Sequence, residues 1–198
     1  MPVDWTNRIT HGFDPPAPNK SFLVIRGKPG TGKSCLAAGA PGAIHIDLDP
    51  LGSNSSIVGA RAERMVKKIC TFDDYEKLQT DLIQDAKESG DKRRFSTVIW
   101  DNAGQLLLLC RERVAKNLGV DEITGFDHGK VSSFMRNLWL GLSNAGYGMI
   151  VLDHDISRVI SDGKNERIIT ETLLPQGVMK YLDQDCHHTF TTKLESME

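Results

Sequence analysis

The residues with the clearest chemical potential lie together near the amino terminus. Two glycines, a lysine and a hydroxyl residue have the spacing G-x-x-x-x-G-K-[ST], which is typical of loops that bind the phosphates of a nucleotide. The loop runs Gly27-Lys28-Pro29-Gly30-Thr31-Gly32-Lys33-Ser34, and Cys35 completes the predicted nucleotide site. Glycines let backbone N–H groups turn towards phosphates, Lys33 can reach the β- and γ-phosphates, and Ser34 can offer its hydroxyl to Mg²⁺. The pattern predicts binding of a nucleoside triphosphate, ATP in our interpretation, together with Mg²⁺.

Two aspartates that follow apolar segments are candidates for the rest of the chemistry. Asp101 ends the apolar run 97–100, and we expect its carboxylate to hold Mg²⁺, although it could also be a helix cap before Asn102. Because Asn102 is not acidic, a base for an attacking water must come from another strand. Asp49, at the end of the segment after the loop helix, fills that role best, with Asp47 deeper in the same strand. The alternative for Asp49 is a turn that begins at Asp49-Pro50.

Histidines supply the remaining candidates. His154 follows the apolar run 149–152, where a polar side chain can contact a γ-phosphate and respond to its loss. A surface position is the alternative for His154. His187 and His188 lie beside Cys186, but neighbouring side chains on a strand point to opposite faces, so we do not expect a metal site there.

Apolar runs alternate with helical patterns along the chain, and this alternation predicts the elements that position these residues. Strands are expected at 22–25, 43–48, 97–101 and 149–152, with shorter β-like pieces at 167–173 and 187–194. Helices are expected over 33–40, from Thr71 to about Ser89, over 103–118 and over 130–144. Thr71 and Asp74 have the spacing of a capping box. The order predicts an α/β fold, a mostly parallel central sheet flanked by helices on both faces, in one domain over 20–198 after an extended lead-in at 1–19.

Composition excludes several classes of protein. The 198 residues carry a net charge of −2 and are 39% hydrophobic, which is ordinary for a globular protein and provides no general basic field for nucleic acid. The longest aliphatic run, 106–109, is too short to span a membrane, and the first residues do not resemble a signal peptide. The scattered cysteines favour reduced thiols. We therefore expect a cytoplasmic protein, in the host cytoplasm if it is phage-encoded.

The order of these motifs resembles that of the RecA-like ATPases. In that family a P-loop is followed by a strand with a catalytic carboxylate, a strand with the Mg²⁺ aspartate, and a strand with a polar sensor. Residues 46–49, 99–102 and 151–154 match the last three in order and spacing. The chain is most similar to small phage-encoded ATP-binding proteins of the single-strand annealing group, in which the sensor histidine also precedes an acidic residue, as in His154-Asp155.

The resemblance implies a RecA-like P-loop fold and ATP hydrolysis coupled to single-stranded DNA. It places DNA loops in two stretches, Arg111 to Lys130 with the helix that follows Asp101, and Asp155 to Arg167 after the sensor. The basic residues of these stretches are Arg111, Arg113, Lys116, Lys130, Arg158, Lys164 and Arg167. Charges in the second stretch sum to zero, so a solvated loop is the alternative. The resemblance also implies a homo-oligomer, with Arg158, Arg167 or Lys193 acting at a neighbour's ATP.

Three functions compete on these grounds. The first is a RecA-like ATPase that acts in DNA recombination, annealing or repair. The second is a small-molecule kinase in which Asp47 or Asp49 binds an acceptor hydroxyl, although the segment 155–167 lacks the many arginines expected of a kinase lid. The third is a non-catalytic adaptor switched by ATP.

Overall fold

The computed structural model describes residues 21–48, 66–161, 166–172 and 174–192. The predicted lead-in lies outside the described residues, and so do Asp49, Lys164 and Lys193. Within the described ranges, seven strands and five α-helices follow one another along the chain.

The strands form the centre of the fold. They are β1 (Phe22–Gly27), β2 (Ala43–Asp47), β3 (Val66–Lys68), β4 (Thr97–Asp101), β5 (Gly148–Ser161), β6 (Glu166–Thr172) and β7 (His188–Thr192). Six of them lie parallel in the order β3-β2-β4-β5-β1-β7, and β6 pairs with β5 in the antiparallel direction. The predicted α/β class with a mostly parallel sheet is confirmed. Because parallel strands all end at the same edge, the candidate residues at the ends of β1, β2 and β4 converge there, beside His154 in the middle of β5.

The helices begin and end close to the predicted positions. They are α1 (Lys33–Ala37), α2 (Phe72–Ser89), α3 (Ala103–Leu118), α4 (Asp127–Asn144) and α5 (Gln176–Asp185). The predicted capping box is present: the Asp74 N–H donates to Thr71 Oγ1 at 3.2 Å, and the Thr71 N–H donates to Asp74 Oδ2 at 3.1 Å. These two bonds satisfy N–H groups that the first turn of a helix leaves without partners.

The larger core lies on the sheet face that α2, α3, α4 and α5 cover. Trp100 of β4 is completely buried there, with its ring centroid 5.9 Å from that of Tyr75 and 6.4 Å from that of Trp139. Alternate residues of each strand point into this core. The aromatic packing fixes the helices against the sheet and thereby fixes the strand ends that carry the site.

The opposite face of the sheet is covered more thinly. Ile25, Ile99 and Ile150 pack there against Ala37 of α1, in a small cluster separate from the larger core. Among the described helices, α1 alone contributes buried residues to this cluster, and it has five residues. Helices therefore lie on both faces, as predicted, but with very unequal cover.

The segment after the predicted sensor differs from the expectation. We expected a loop from Asp155 to Arg167, but β5 continues to Ser161 and pairs with β6, from Asp155 opposite Thr172 to Ser161 opposite Glu166. Both sides contain several β-branched residues, in 156–160 and 168–172, which favour extended backbone once a pairing partner is present. The segment is therefore a β-ribbon that extends from the central sheet.

Candidate nucleotide site at the carboxyl edge of the sheet

The predicted phosphate-binding loop (P-loop, residues 27–34) connects the end of β1 to the start of α1. Gly30 and Gly32 have φ values of 79° and 81°, in the left-handed region that residues with a Cβ rarely adopt. Gly32 is followed directly by α1, and its carbonyl accepts from the Leu36 N–H at 2.9 Å. The loop therefore passes without interruption into the amino end of a helix, whose first N–H groups are suited to bind an anion.

Gly27 is required for a different reason, which is close packing against the last residue of β7. A Cβ at Gly27 would lie 2.3 Å from Thr192 Oγ1 and 2.6 Å from the Thr192 carbonyl oxygen. Thr192 Oγ1 also lies 2.7 Å from Thr31 Oγ1 and donates to the Arg26 carbonyl at 3.1 Å. The end of β7 thus supports the P-loop. Sequence reasoning did not find this contact, because it joins residues far apart in the chain.

The side chain of Lys33 lies inside the P-loop. Lys33 is only 4% exposed, and its Nζ donates to the carbonyl oxygens of Gly27 at 2.9 Å and Lys28 at 2.8 Å. Burial lowers the pKa of Lys33, while the carboxylates of Asp101, Asp155 and Asp153 act in the opposite direction. The ammonium group is thus stabilised by two loop carbonyls and can exchange them for phosphate oxygens with little movement.

Ser34 and Asp101 come together as the sequence predicted. Ser34 Oγ donates to Asp101 Oδ2 at 2.6 Å, although the two residues belong to different elements, α1 and β4. Burial works to raise the pKa of Asp101, but hydrogen bonds from His45 and Ser34 outweigh it and hold the pKa below its ordinary value. Asp101 is therefore an ionised carboxylate at neutral pH. One hydroxyl and one carboxylate, side by side at a strand end, are the hard oxygen ligands that Mg²⁺ prefers.

His45 is a member of this group that sequence reasoning missed. It is fully buried in β2, and its Nε2 lies 3.0 Å from Asp101 Oδ2. Since an ionised carboxylate only accepts, Nε2 carries a proton and donates a hydrogen bond to Asp101. Nδ1 has no hydrogen-bond partner among the described residues. A histidine in an otherwise apolar strand, two residues before Asp47, was the available signal.

Of the two candidate aspartates Asp47 and Asp49, the structure describes only Asp47. Asp47, the last residue of β2, is buried and lies directly beside Asp101 in the strand register. Side chains alternate along a strand, so Asp47 points to the same face as His45. Asp49 lies outside the described residues, so its predicted role as the base stays a prediction.

His154 lies next to the P-loop. β5 runs between β1 and β4, and His154 is paired in register with Gly27. Alternation with Ile150 and Leu152 places His154 on the face of α1, and its charge contributes to the lowered pKa of Asp101. Asp153, on the other face, receives a hydrogen bond from Thr172 and lies 3.6 Å from Nε of Arg26.

The basic residues expected in DNA loops are mostly on regular elements. Arg111, Arg113 and Lys116 belong to α3, and Lys130 belongs to α4, so the connection between these helices is only 119–126. The DNA loop expected from Arg111 to Lys130 is therefore limited to 119–126, whereas the helix expected over 103–118 is confirmed, because the apolar stripe of α3 continues to Val114 and Ala115.

Two of these basic residues already have acidic partners. Arg113 forms ion pairs with Asp73 and Glu76 of α2, and its guanidinium lies 4.7 Å from the ring centroid of Phe72. Lys130 Nζ lies 2.8 Å from Asp127 Oδ1. Arg158 and Arg167 are in the β-ribbon, where the structure describes the backbone, and Lys164 lies outside the described residues. The structure thus brings together the P-loop, Asp101, His45 and His154. The basic residues of α3 and α4 lie outside this group.

The remaining candidates occupy less central positions. Cys35 is the third residue of α1 and is exposed. His187 Nδ1 accepts a hydrogen bond from the Phe22 N–H at 2.8 Å, which joins the start of β7 to the start of β1. His187 therefore has a structural contact at the opposite edge of the sheet from the P-loop.

The model of one protein family, described as AAA domain, matches residues 19–196. No curated protein matches the chain. Within the residues that the structure describes, the helices are too short or too polar to cross a membrane.

Proposed function

The chain belongs to the AAA domain family of P-loop ATPases, and on that premise we propose that it hydrolyses ATP with Mg²⁺ and that single-stranded DNA stimulates the reaction. The hydrogen bond between Ser34 and Asp101 at 2.6 Å, beside the buried ammonium group of Lys33, is the observation that carries the proposal. It joins the P-loop helix to β4 at the edge where ligands bind in parallel α/β sheets.

The described residues fit a Mg²⁺ ion, because they provide a hydroxyl and an ionised carboxylate in contact with each other. Ser34 and Asp101 would hold the ion, which supplies positive charge to the β- and γ-phosphates. The glycines of the P-loop present backbone N–H groups to the phosphates, and Lys33 moves from the loop carbonyls to the phosphate oxygens. His45 keeps its hydrogen bond to Asp101 and orients the carboxylate.

The attacking water needs an acceptor for its proton. We propose Asp49, which follows two residues after Asp47 in the sequence, and Asp47 is paired in register with Asp101. Asp47 is the alternative, since its position in register with Asp101 places it close to the same ligands. His154, beside Gly27, is proposed to contact the γ-phosphate.

Single-stranded DNA is the proposed partner on account of the β-ribbon. β5 carries His154 beside the P-loop and continues without interruption into the ribbon, which contains Arg158 and Arg167. Lys164 lies between the two ribbon strands in the sequence. A continuous strand gives the nucleotide and the ribbon a direct mechanical connection. The proposed homo-oligomer would add a basic residue from a neighbour, with Arg158 and Arg167 as candidates.

The proposal is tested with Lys33→Ala and a matched control, Lys28→Ala. Both variants remove one positive charge from the P-loop, but Lys28 is exposed whereas Lys33 is buried. Calorimetry with ATP and Mg²⁺ should show that Lys33→Ala loses about 2 kcal/mol or more of binding free energy, the cost of leaving bound charge without its partner. Lys28→Ala should bind nearly as the parent does.

Turnover is then measured with and without single-stranded DNA, beside a set of nucleoside acceptors. Phosphate release that rises with DNA supports the proposed function. Phosphoryl transfer to a nucleoside without phosphate release would instead identify a kinase. ATP binding with neither activity would identify an ATP-switched adaptor, and equal ATP affinity of the Lys33→Ala and Lys28→Ala proteins would contradict the P-loop assignment itself.

A further inference from the structure

An apolar groove of about 410 Å³ lies on the thinly covered face of the sheet. Its floor is formed by Leu23, Ile25 and Ile150, and its sides include Leu36 of α1 and Phe190 of β7. Leu36 is 58% exposed and Phe190 is 50% exposed. Large apolar side chains that are grouped in a groove, rather than scattered singly, indicate a surface that another segment covers.

The position of the groove identifies which segment can cover it. Ser21, the residue before β1, lines the groove, together with Pro41 and Thr97, which lie before or at the starts of β2 and β4. The groove therefore opens at the amino edge of the parallel strands. Residues 1–20 enter the fold at this edge, since they connect directly to Ser21.

Two other segments outside the described residues are less suited to cover the groove. The segment 49–65 leaves the sheet after Leu48, at the carboxyl edge, and 193–198 leaves it after Thr192 at the same edge. The second of these is also short and charged, with Lys193, Glu195 and Glu198. The segment 49–65 returns to the sheet at Val66 of β3, which β2 and β4 separate from the strands that form the floor of the groove. The amino-terminal segment, in contrast, joins the fold at Ser21, which lines the groove itself.

The amino-terminal segment has the right chemistry for an apolar groove. Residues 3–13 contain four large apolar residues, Val3, Trp5, Ile9 and Phe13, and a proline-rich connection at 14–18 joins them to the domain. The connection from Phe13 to Ser21 can span up to about 28 Å when extended, which is sufficient to return along the groove. The family match begins at residue 19, so this segment is an addition to the region shared with the family.

We propose that residues 3–13 dock in this groove within the same chain and pack against Leu36 and Phe190. The docked segment completes the second layer over the sheet and holds α1 from its outer side. Since α1 begins at Lys33, this contact also supports the P-loop helix. The proposal does not depend on hydrolysis or on DNA, and it is tested without nucleotide.

Trp5 is a natural probe of the docked state. The chain has three tryptophans, and the other two, Trp100 and Trp139, are completely buried. The emission of Trp5 is obtained as the difference between the full chain and its Trp5→Phe variant, and acrylamide quenching then measures the exposure of the Trp5 ring. We expect Trp5 in the full chain to be quenched several-fold less than in a peptide of residues 1–20.

The groove variants Leu36→Asp and Phe190→Asp should release Trp5 and raise its quenching to the level of the peptide. Leu108→Asp is the matched control, because Leu108 is also a large exposed apolar residue, at 47%, but belongs to α3 on the other side of the sheet. It should leave Trp5 protected. Circular dichroism of each variant verifies that the fold is retained.

Two results would overturn the proposal. The first is quenching of Trp5 in the full chain that equals quenching in the peptide, which would show that the segment does not dock. The second is protection that disappears on dilution, together with a dimer mass by light scattering, which would assign the groove to a second copy of the chain.

Discussion

Asp101 Oδ2 accepts two hydrogen bonds, one from Ser34 at 2.6 Å and one from His45 at 3.0 Å, and the two donors differ in what metal binding would do to them. The Ser34 hydroxyl can bind Mg²⁺ through an oxygen lone pair and still donate its proton to Asp101, so it would contact both the ion and the carboxylate. The protonated Nε2 of His45 has no lone pair for the ion, so it would keep its bond to Asp101 alone. His45 is therefore the fixed partner of the carboxylate, comparable to the outer hydrogen bonds that orient metal ligands in other sites.

Replacement of His45 should selectively lower the affinity for Mg²⁺. His45→Leu removes the donor and leaves a buried carboxylate with one bond fewer, so we expect a loss of about tenfold or more in apparent Mg²⁺ affinity. His45→Gln, whose amide retains an N–H donor, should retain part of the Mg²⁺ affinity. The measurement is a Mg²⁺ titration of ATPase rate, beside ATP binding without Mg²⁺, which should be unchanged. Equal behaviour of the Leu and Gln variants would show that His45 only fills space.

The base can be located with a pair of aspartate variants. Asp49→Asn should bind ATP as the parent does but lose about 10²–10⁴-fold in turnover, because an amide can hold a water but cannot accept its proton. Asp47→Asn is the comparison, since it makes the same chemical change at a position paired in register with Asp101. If Asp47→Asn loses turnover and Asp49→Asn does not, Asp47 is the base and the assignment of Asp49 is wrong.

The extent to which these residues could be predicted follows from their separation in the sequence. The P-loop is recognisable because its glycines, Lys33 and Ser34 act within eight consecutive positions. The contact of His45 with Asp101 spans 56 positions, and that of Thr31 with Thr192 spans 161. Such contacts depend on the order and register of the strands, which local patterns do not specify.

At the scale of elements, helix boundaries were predicted best where a local signal marks them. Thr71 caps α2 with its own side chain, and Gly119 ends α3 with a φ of 67°. α4 begins three residues before the expected Lys130, and no side chain caps it at Phe126, so the sequence has no signal there. The extension of β5 was missed because it depends on pairing with β6, which is a tertiary interaction.

Two glycines in α4 allow helix propensity to be separated from packing. A Cβ at Gly129 would meet no atom within 4 Å, so Gly129→Ala should raise the free energy of unfolding by about 0.5–1 kcal/mol. At Gly141 a Cβ would lie 2.9 Å from Gln79 Nε2, which donates to the Leu138 carbonyl at 2.9 Å. Gly141→Ala should lose about 1 kcal/mol relative to Gly129→Ala, because it displaces that hydrogen bond.

Urea unfolding at equilibrium measures both effects of these glycine substitutions. The control is Gly141→Ala in a Gln79→Ala background, in which no hydrogen bond remains to be displaced and the gain from alanine should return. If Gly141→Ala stabilises the unmodified chain as much as Gly129→Ala does, the hydrogen bond of Gln79 between α2 and α4 does not contribute to the free energy of unfolding.

At the scale of the whole molecule, β5 connects the parts that the proposed function must couple. It lies between β4, which carries Asp101, and β1, which leads into the P-loop, and it then leaves the sheet as the β-ribbon. A change at His154 can therefore reach the ribbon along one strand. A conformational signal of this kind requires that the nucleotide binds the two states of the ribbon with different affinity.

Single-stranded DNA should consequently bind more tightly with an ATP analogue than with ADP, and by linkage DNA should raise the affinity for the analogue by the same factor. His154→Ala should make the two DNA affinities equal while ATP still binds, because Lys33 and the loop N–H groups are unchanged. Fluorescence anisotropy with a labelled oligonucleotide measures these affinities in the two nucleotide states. Equal affinities in the parent protein would exclude the switch.

The same assay, repeated over a range of salt concentrations, identifies the DNA surface. Replacement of Arg158, Lys164 and Arg167 by alanine removes three charges from the β-ribbon and its connection. If each contacts a phosphate, the slope of log K against log salt should become shallower by about 2. Alanine at Arg111, Lys116 and Lys130 removes the same charge from α3 and α4 and should leave the slope unchanged. The opposite result, a shallower slope only for the α3 and α4 variant, would place the DNA-binding surface on those helices. DNA binding would then not involve the strand that carries His154.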